Sequence, residues 1–300
     1  DELGLNEARR QIYEHYNSLK NESRLPSTDV TKFITDEFSP PDFSTAKEHD
    51  LEKDFIRSLS LKNWAETNLT SHRDSNHVIV SVSLKKPGST PGDATAKQMR
   101  VLADLAEQYA YDELRVSHEQ NIILPHVPKQ HVMKIYNKLN EADLATPNIG
   151  MVSDIISCPG MDYCKLATAR SIPIAKQIAT RFCELKTERD IGPLKIKMSG
   201  CINACGHHHV GHIGILGLDR GGVENYQITL GGDGTEDAHI GQCIGPGFSA
   251  DKLIKAIEAI INVYLNDRKN RNETFLNFYR RVGLSPFKLA IYGLPGVAYF

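Results

Sequence analysis

The sequence has no run of the roughly 18 uncharged residues that a membrane span requires. Even its longest apolar stretches, such as Leu253 to Leu265, are interrupted, here by Lys255, Glu258 and Asn262. A charge imbalance is also missing. The net charge of -2, with 24% charged residues, gives none of the electrostatic footprint expected of a nucleic-acid partner. Cysteine is scarce: six in 300 residues are too few for a disulfide scaffold, and four of them fall in two tight pairs, which points to metal ligation in a reducing compartment, the cytoplasm. There is no internal repeat and no low-complexity tract. The opening segment is polar and helix-like, unlike a secretory signal. The chain starts at Asp1 and its first methionine is Met99, in keeping with a processed start or a piece of a longer protein. The glycine-rich stretch Gly231-Gly232-Asp233-Gly234 lacks the GxxxxGK[ST] pattern, and its acid would repel phosphate, so it reads as a turn.

What is present is an ordinary soluble composition, 40% hydrophobic, with length enough for two domains. Residues 1–70 read as a helical connecting arm, with helices Asn6 to Lys20 and Leu51 to Trp64 separated by a stretch holding Pro26, Pro40 and Pro41. Residues 71–146 follow a β-α-β-β-α order: strand His77 to Leu84, helix Thr95 to Tyr109, strands Glu113 to Ser117 and Asn121 to Leu124, and a helix opening at Pro128. That is the order of a ferredoxin-like half sandwich. Residues 147–300 carry strand Met151 to Ile156, a long helix from Cys164 to about Leu185, and strand Leu194 to Met198. A hairpin around Gly221-Gly222 and helices Ala250 to Asn266 and Glu273 to Val282 follow. The fold class expected is α/β (α+β): a ferredoxin-like half domain, then a mixed-sheet domain. The apolar end, Ala290 to Phe300, is expected to pack against another surface or the chain's own core.

The cysteines carry the chemistry. Cys158-Pro-Gly-Met-Asp-Tyr-Cys164 is a C-x5-C pair, and Ser199-Gly-Cys201-Ile-Asn-Ala-Cys205-Gly206 holds a C-x3-C pair. Two loops at element ends could bring four thiolates to the corners of a [4Fe-4S] cubane, with glycines letting the backbone approach. The alternatives are a structural zinc site, whose paired ligands usually lie two to four residues apart, or unligated buried thiols. The x5 gap favours the cluster. Cys183 and Cys243, unpaired in sequence, read as small core residues.

With both pairs in view, the sequence resembles the sirohaem-dependent sulfite and nitrite reductase family, which carries C-x5-C…C-x-N-x-C-G in its C-terminal half. The likeness extends through Ile213-Gly214-Ile215-Leu216-Gly217, through Tyr226 to Gly232, and back to Ser117-His118-Glu119-Gln120-Asn121. It implies sirohaem and a [4Fe-4S] cluster held by Cys158, Cys164, Cys201 and Cys205, with Cys205 also the axial thiolate of the sirohaem iron. The activity implied is six-electron reduction of sulfite to sulfide or nitrite to ammonia, fed by a ferredoxin or flavoprotein. Family members are roughly twice this length, and their N-terminal half supplies most of the anion-binding basic residues. A missing N-terminal half or a partner subunit is therefore expected, with Asp1 to about Leu25 as the tail of that half.

Other residues are weighed beside this. Asn203 suits a hydrogen bond to cluster sulfur, or a turn. Gln120 and Asn121 are expected to face the macrocycle, or else to form a turn. His207 and His209 would share a face if the segment were a strand, and could bond sirohaem carboxylates or shuttle protons; the bland reading is surface histidine. Lys195 and Lys197 share a strand face, read as solvated rather than as a cofactor contact. No catalytic residue is assigned. The rival classes are a non-catalytic iron-sulfur electron-transfer module and a four-cysteine zinc domain.

Overall fold

The computed structural model describes residues 3–20 and 27–293. Parts of three expected features, the segment Asp1 to Leu25, Pro26, and residues 294–300 of the apolar end, lie outside them. The chain divides into two compact units, residues 1–45 and 46–300. The first contains α1 (Gly4–Leu19), α2 (Thr28–Glu37) and a short 3-10 turn. Ser27 caps α2 by accepting from the Val30 amide at 3.3 Å. Neither helix buries a residue, and Leu5, Ile12 and Tyr16 of α1 stay exposed.

The second unit opens with α3 (Leu51–Arg57) and α4 (Leu59–Asn68), where the sequence pattern suggested one helix. The break lies at Ser58, which is extended and uses its hydroxyl to accept from the Leu61 amide at 3.2 Å. A residue able to cap a new helix competes with continuing the old one. β1 (Leu69–Ser71), β2 (His77–Val82), α5 (Ala96–Tyr109), β3 (Arg115–Val116), β4 (Ile122–Pro128) and α6 (Val132–Glu141) follow. The four strands form an antiparallel sheet in the order β1-β2-β4-β3. Thr95 and Gln98 close a reciprocal capping box at the start of α5. The core under this sheet includes Val80, Val82, Leu105, Leu124, Ile135 and Leu139, and it also takes Leu61 and Trp64 from α4. Thus α4 and the first two residues of β1, which fall within the arm expected over residues 1–70, are built into the ferredoxin-like layer.

The remaining elements are β5 (Ile156–Ser157), α7 (Ile172–Leu185), α8 (Glu188–Ile191), β6 (Ile196–Ser199), β7 (Ile213–Arg220), β8 (Val223–Leu230), β9 (Gln242–Cys243), α9 (Ala250–Asp267), α10 (Phe275–Val282) and α11 (Ser285–Tyr292). Their sheet is mixed: β5, β6 and β7 run parallel, while β8 and β9 are antiparallel to their neighbours. Ile196, Met198, Ile213, Ile215 and Ile228 pack with residues of α7, α9 and α10 in one core. Gly221 and Gly222, at φ +65° and +84°, make the β7–β8 hairpin turn as expected.

Two expectations are corrected here. The helix expected from Cys164 begins only at Ile172, because the Thr168 and Ala169 amides donate to the Gly200 carbonyl at 2.9 and 3.0 Å instead of closing helical turns. Cys183 and Cys243 are exposed rather than core residues: Cys183 lies on the outer side of α7, and Cys243 is on the edge strand β9.

Candidate functional site

The two cysteine loops leave the C-terminal ends of the adjacent parallel strands β5 and β6. They are fastened to each other through backbone. The Cys158 amide donates to the Met198 carbonyl at 3.1 Å, the Gly200 amide donates to Cys158 Sγ at 3.0 Å, and the Gly200 carbonyl accepts from Thr168 and Ala169. Such contacts need close approach. A Cβ on Gly200 would lie 2.6 Å from the Ala169 oxygen, and one on Gly206 only 1.8 Å from the Met198 oxygen. Ser171 Oγ donates to the Cys158 carbonyl at 2.6 Å, pinning the far end of the first loop.

Cys158 and Cys201 are buried, Cys164 is half-buried and Cys205 is exposed. The fold brings the loops together but does not gather the thiols into one shell: among the described residues, no three His, Cys, Asp or Glu side chains are close enough to hold a metal ion. The chemistry of the donor set nonetheless fits an iron-sulfur cluster. All four donors are soft sulfurs, Cys158 already accepts a backbone N–H as cluster thiolates do, and the loops are joined by hydrogen bonds at their bases.

Around the second pair the segment is a 3-10 turn, His208–Val210, entered through left-handed Ala204 and His207. The strand geometry assumed for His207 and His209 is therefore replaced by a turn. Both side chains are exposed while His208 between them is buried. Asn203 is exposed and makes no hydrogen bond among the described residues. Burial lowers the imidazoles of His208 and His212 to about 4, so both are neutral at pH 7. The His208 ring lies 4.0 Å from that of His209, centroid to centroid.

Gln120 and Asn121 have protein partners instead of open amides. Gln120, in left-handed conformation, donates to the Ser157 carbonyl at 2.8 Å and accepts from the Ser157 amide at 3.1 Å. It extends the ferredoxin-like layer onto the strand that delivers Cys158. Asn121 is buried, accepts from the Leu84 amide at 3.1 Å and donates to Asp154 at 3.0 Å. Both also border a cleft of about 510 Å³ beside the first cysteine loop, with Pro159 and Tyr163 on its other wall.

The sequence reading missed the groups that join the two layers. Lys85 is buried and forms an ion pair with Asp154 at 2.8 Å; it also donates to the Glu119 carbonyl. Lys195 pairs with Glu119 at 2.5 Å. Burial raises the Glu119 carboxyl, but the Lys195 hydrogen bond and charge outweigh it and hold it below its ordinary range. Lys197 is buried, which corrects the solvated strand face expected for it, while Lys195 stays partly exposed: the turn at Gly211 covers the sheet beside Lys197. No local pattern announces such burial, because a lysine on an alternating strand looks the same whether or not a later loop covers it.

Two family models match the chain. The nitrite/sulfite reductase ferredoxin-like half domain matches residues 75–142, and the nitrite and sulphite reductase 4Fe-4S domain matches residues 150–293. A ferredoxin–nitrite reductase of Synechococcus elongatus is 30% identical over 57% of this chain and 34% of that protein. A sulfite reductase (ferredoxin) of Mycolicibacterium paratuberculosis is 26% identical over 63% of this chain and 36% of that protein. The chain thus spans about a third of the length of these relatives. Among solved structures, the Mycobacterium tuberculosis NirA protein aligns with TM-score 0.62 at 20% identity, covering 74% of this chain and 41% of its own. Dissimilatory sulfite reductase I aligns with TM-score 0.61 at 13% identity, covering 74% and 70%. These two likenesses show the fold. Among the described residues, no helix is long and apolar enough to cross a membrane.

Proposed function

Because the chain belongs to the nitrite and sulfite reductase family, we propose that it is the C-terminal half of an enzyme reducing sulfite to sulfide or nitrite to ammonia. In this reading Cys158, Cys164, Cys201 and Cys205 hold a [4Fe-4S] cluster, and Cys205 is also the axial ligand of a sirohaem iron. The observation that carries it is the backbone lock between the two loops, with Gly200 donating to Cys158 Sγ and accepting from Thr168 and Ala169. A lock of this kind fixes the loop bases from which four thiolates reach one cluster. When bound, the cluster and the haem supply stored electrons and an iron that binds the anion.

The chain's own residues have supporting roles. The exposure of Cys205, against the burial of Cys158 and Cys201, suits a thiolate that must also reach a second metal. Gln120 holds β5, and so the first loop, in place from the neighbouring layer. Asn203, with its amide uncommitted, is available to bond cluster sulfur. His207 and His209 are exposed next to Cys205 and can bond the macrocycle's carboxylates or deliver protons as oxygen leaves the substrate. The remaining anion-binding residues come from an N-terminal half or partner subunit, electrons come from a ferredoxin or flavoprotein, and the compartment is the cytoplasm.

The test is an ultraviolet-visible spectrum of anaerobically purified protein, followed by turnover of sulfite and of nitrite with a reduced donor. An intense Soret band, lost in Cys205→Ser, supports the reading. Cluster absorption with no Soret band in any preparation favours an electron-transfer module, and colourless protein bearing zinc overturns both.

A further inference from the structure

Lys197 lies in the middle strand of the parallel part of the mixed sheet and is only 5% exposed. In register it faces Gly214 of β7, which in turn faces Thr229 of β8. Its side chain leaves the sheet on the face opposite Ile196 and Met198, toward the loop that follows the second cysteine pair. A Cβ on Gly211 would lie 3.1 Å from Lys197 Cβ, and one on Gly234 would lie 4.0 Å from its Nζ. The ammonium therefore ends beside a residue that contributes no side chain.

Among the described residues nothing bonds to that ammonium. The charged groups that act on it are Glu119, Lys195 and Lys85. Glu119 is already paired with Lys195, and Lys85 with Asp154. Asp233, in the loop near Gly234, is held by Arg280 at 3.1 Å and by the Thr235 amide. His212 is neutral at pH 7. Each carboxylate near Lys197 thus has its own cation, and the Lys197 charge is left over. The side chain is withdrawn from water along nearly all of its length, and a partly desolvated ammonium without a counter-ion is costly. Two groups on this side of the sheet are buried without a partner, His208 Nδ1 and Thr229 Oγ1. Both residues crowd Gly214, where a Cβ would lie 2.0 Å from the His208 carbonyl oxygen and 2.4 Å from Thr229 Oγ1.

We propose that Lys197 anchors an oxyanion: its ammonium receives a carboxylate of the tetrapyrrole or the small inorganic oxyanion, at a site bordered by His208 and Thr229. Which ligand arrives rests on the proposed function; that a site for an oxyanion exists does not. The site explains why β6 carries a lysine whose side chain is buried while each carboxylate near it is paired with another cation.

The test uses the 300-residue chain, with Lys197→Met and Lys197→Arg, titrated with sulfite, with nitrite and with a metal-free polycarboxylate porphyrin. The starting protein binds at least one of these probes. Lys197→Met weakens that binding by at least about tenfold, while Lys197→Arg, which keeps the charge, loses less. A loss confined to the porphyrin assigns the carboxylate, and a loss confined to the inorganic ions assigns the substrate. Without ligand, Lys197→Met melts no lower than the starting protein, since it removes an unmatched charge. The proposal is overturned if Lys197→Met binds every probe as tightly as before, if no probe binds the starting protein, or if Lys197→Met alone melts several degrees lower, which would make Lys197 structural. Absence of iron or of turnover would count against the proposed function and leave these readings intact.

Discussion

The ferredoxin-like layer and the cysteine-bearing layer both pack helices on a sheet, yet they are held together differently. From β1 to α6 there are two glycines, Gly88 and Gly92, and a Cβ on either would meet only side chains, at 3.7 and 3.3 Å. In the cysteine layer, Gly160, Gly200, Gly206, Gly211, Gly214, Gly217, Gly231 and Gly232 each have another atom within 3.0 Å of where a Cβ would go. The first layer is assembled from side chains and the second largely from backbone laid on backbone. Charge separates two lysines instead of two layers: Lys85 is paired with Asp154 of the facing layer, and Lys197 has no carboxylate of its own. The paired lysine fastens the two layers to each other, whereas the unpaired one leaves a charge for an external group.

The largest effect is expected where the two layers meet. Asp154→Ala strands the buried Lys85 ammonium and removes the acceptor of Asn121 and of the Gly150 amide. A loss of about 3–5 kcal/mol is expected, read by urea denaturation; a loss under about 1 kcal/mol would mean that the pair is not buried in solution. Next is Gly206→Ala, whose Cβ has no room beside the Met198 oxygen and should cost about 3 kcal/mol or more. Gly92→Ala meets a movable side chain but has φ +81°, so about 1 kcal/mol is expected. Equal costs for the two glycines would erase the contrast between the layers.

The third effect depends on pH. His208 and His212 are depressed from 6.5 to about 4 in the folded chain, mainly by burial. Between those values the unfolded chain binds protons that the folded chain refuses. Stability is therefore full above about pH 6.5 and falls as pH drops toward 4, by up to about 1.4 kcal/mol per pH unit for each histidine. Denaturation at pH 7 and pH 5 should show this, and His208→Gln should flatten the slope; an unchanged slope would place His208 in water. The smallest effect belongs to the exposed Arg189–Glu66 pair at 3.1 Å, with side chains 55% and 49% exposed. Arg189→Ala should cost less than about 1 kcal/mol, falling further with salt.

Features written locally were legible in the sequence. Alternation marked β2, the helical run from Thr95 to Tyr109 marked α5, Gly221-Gly222 marked the hairpin, and the C-x5-C and C-x3-C spacings marked the two loops. Features set by distant contacts were not. The start of α7 is delayed by the Gly200 carbonyl, a residue beyond the helix it limits. The short edge strands β1 and β9 have too few residues to show a period. Gln120 and Asn121 looked like an open polar pair until the layer that consumes their amides was in place, and the burial of Lys197 depends on a loop later in the chain.

The central claim is that the two locked loops hold one cluster, and iron and acid-labile sulfide analysis of anaerobically purified protein, with Cys158, Cys164, Cys201 and Cys205 each changed to Ser, tests it most directly. About four irons in the cluster, matched by sulfide and lost or sharply reduced in all four variants but retained in Cys183→Ser and Cys243→Ser, is the result predicted. Zinc in place of iron, or iron indifferent to these four cysteines, would contradict it.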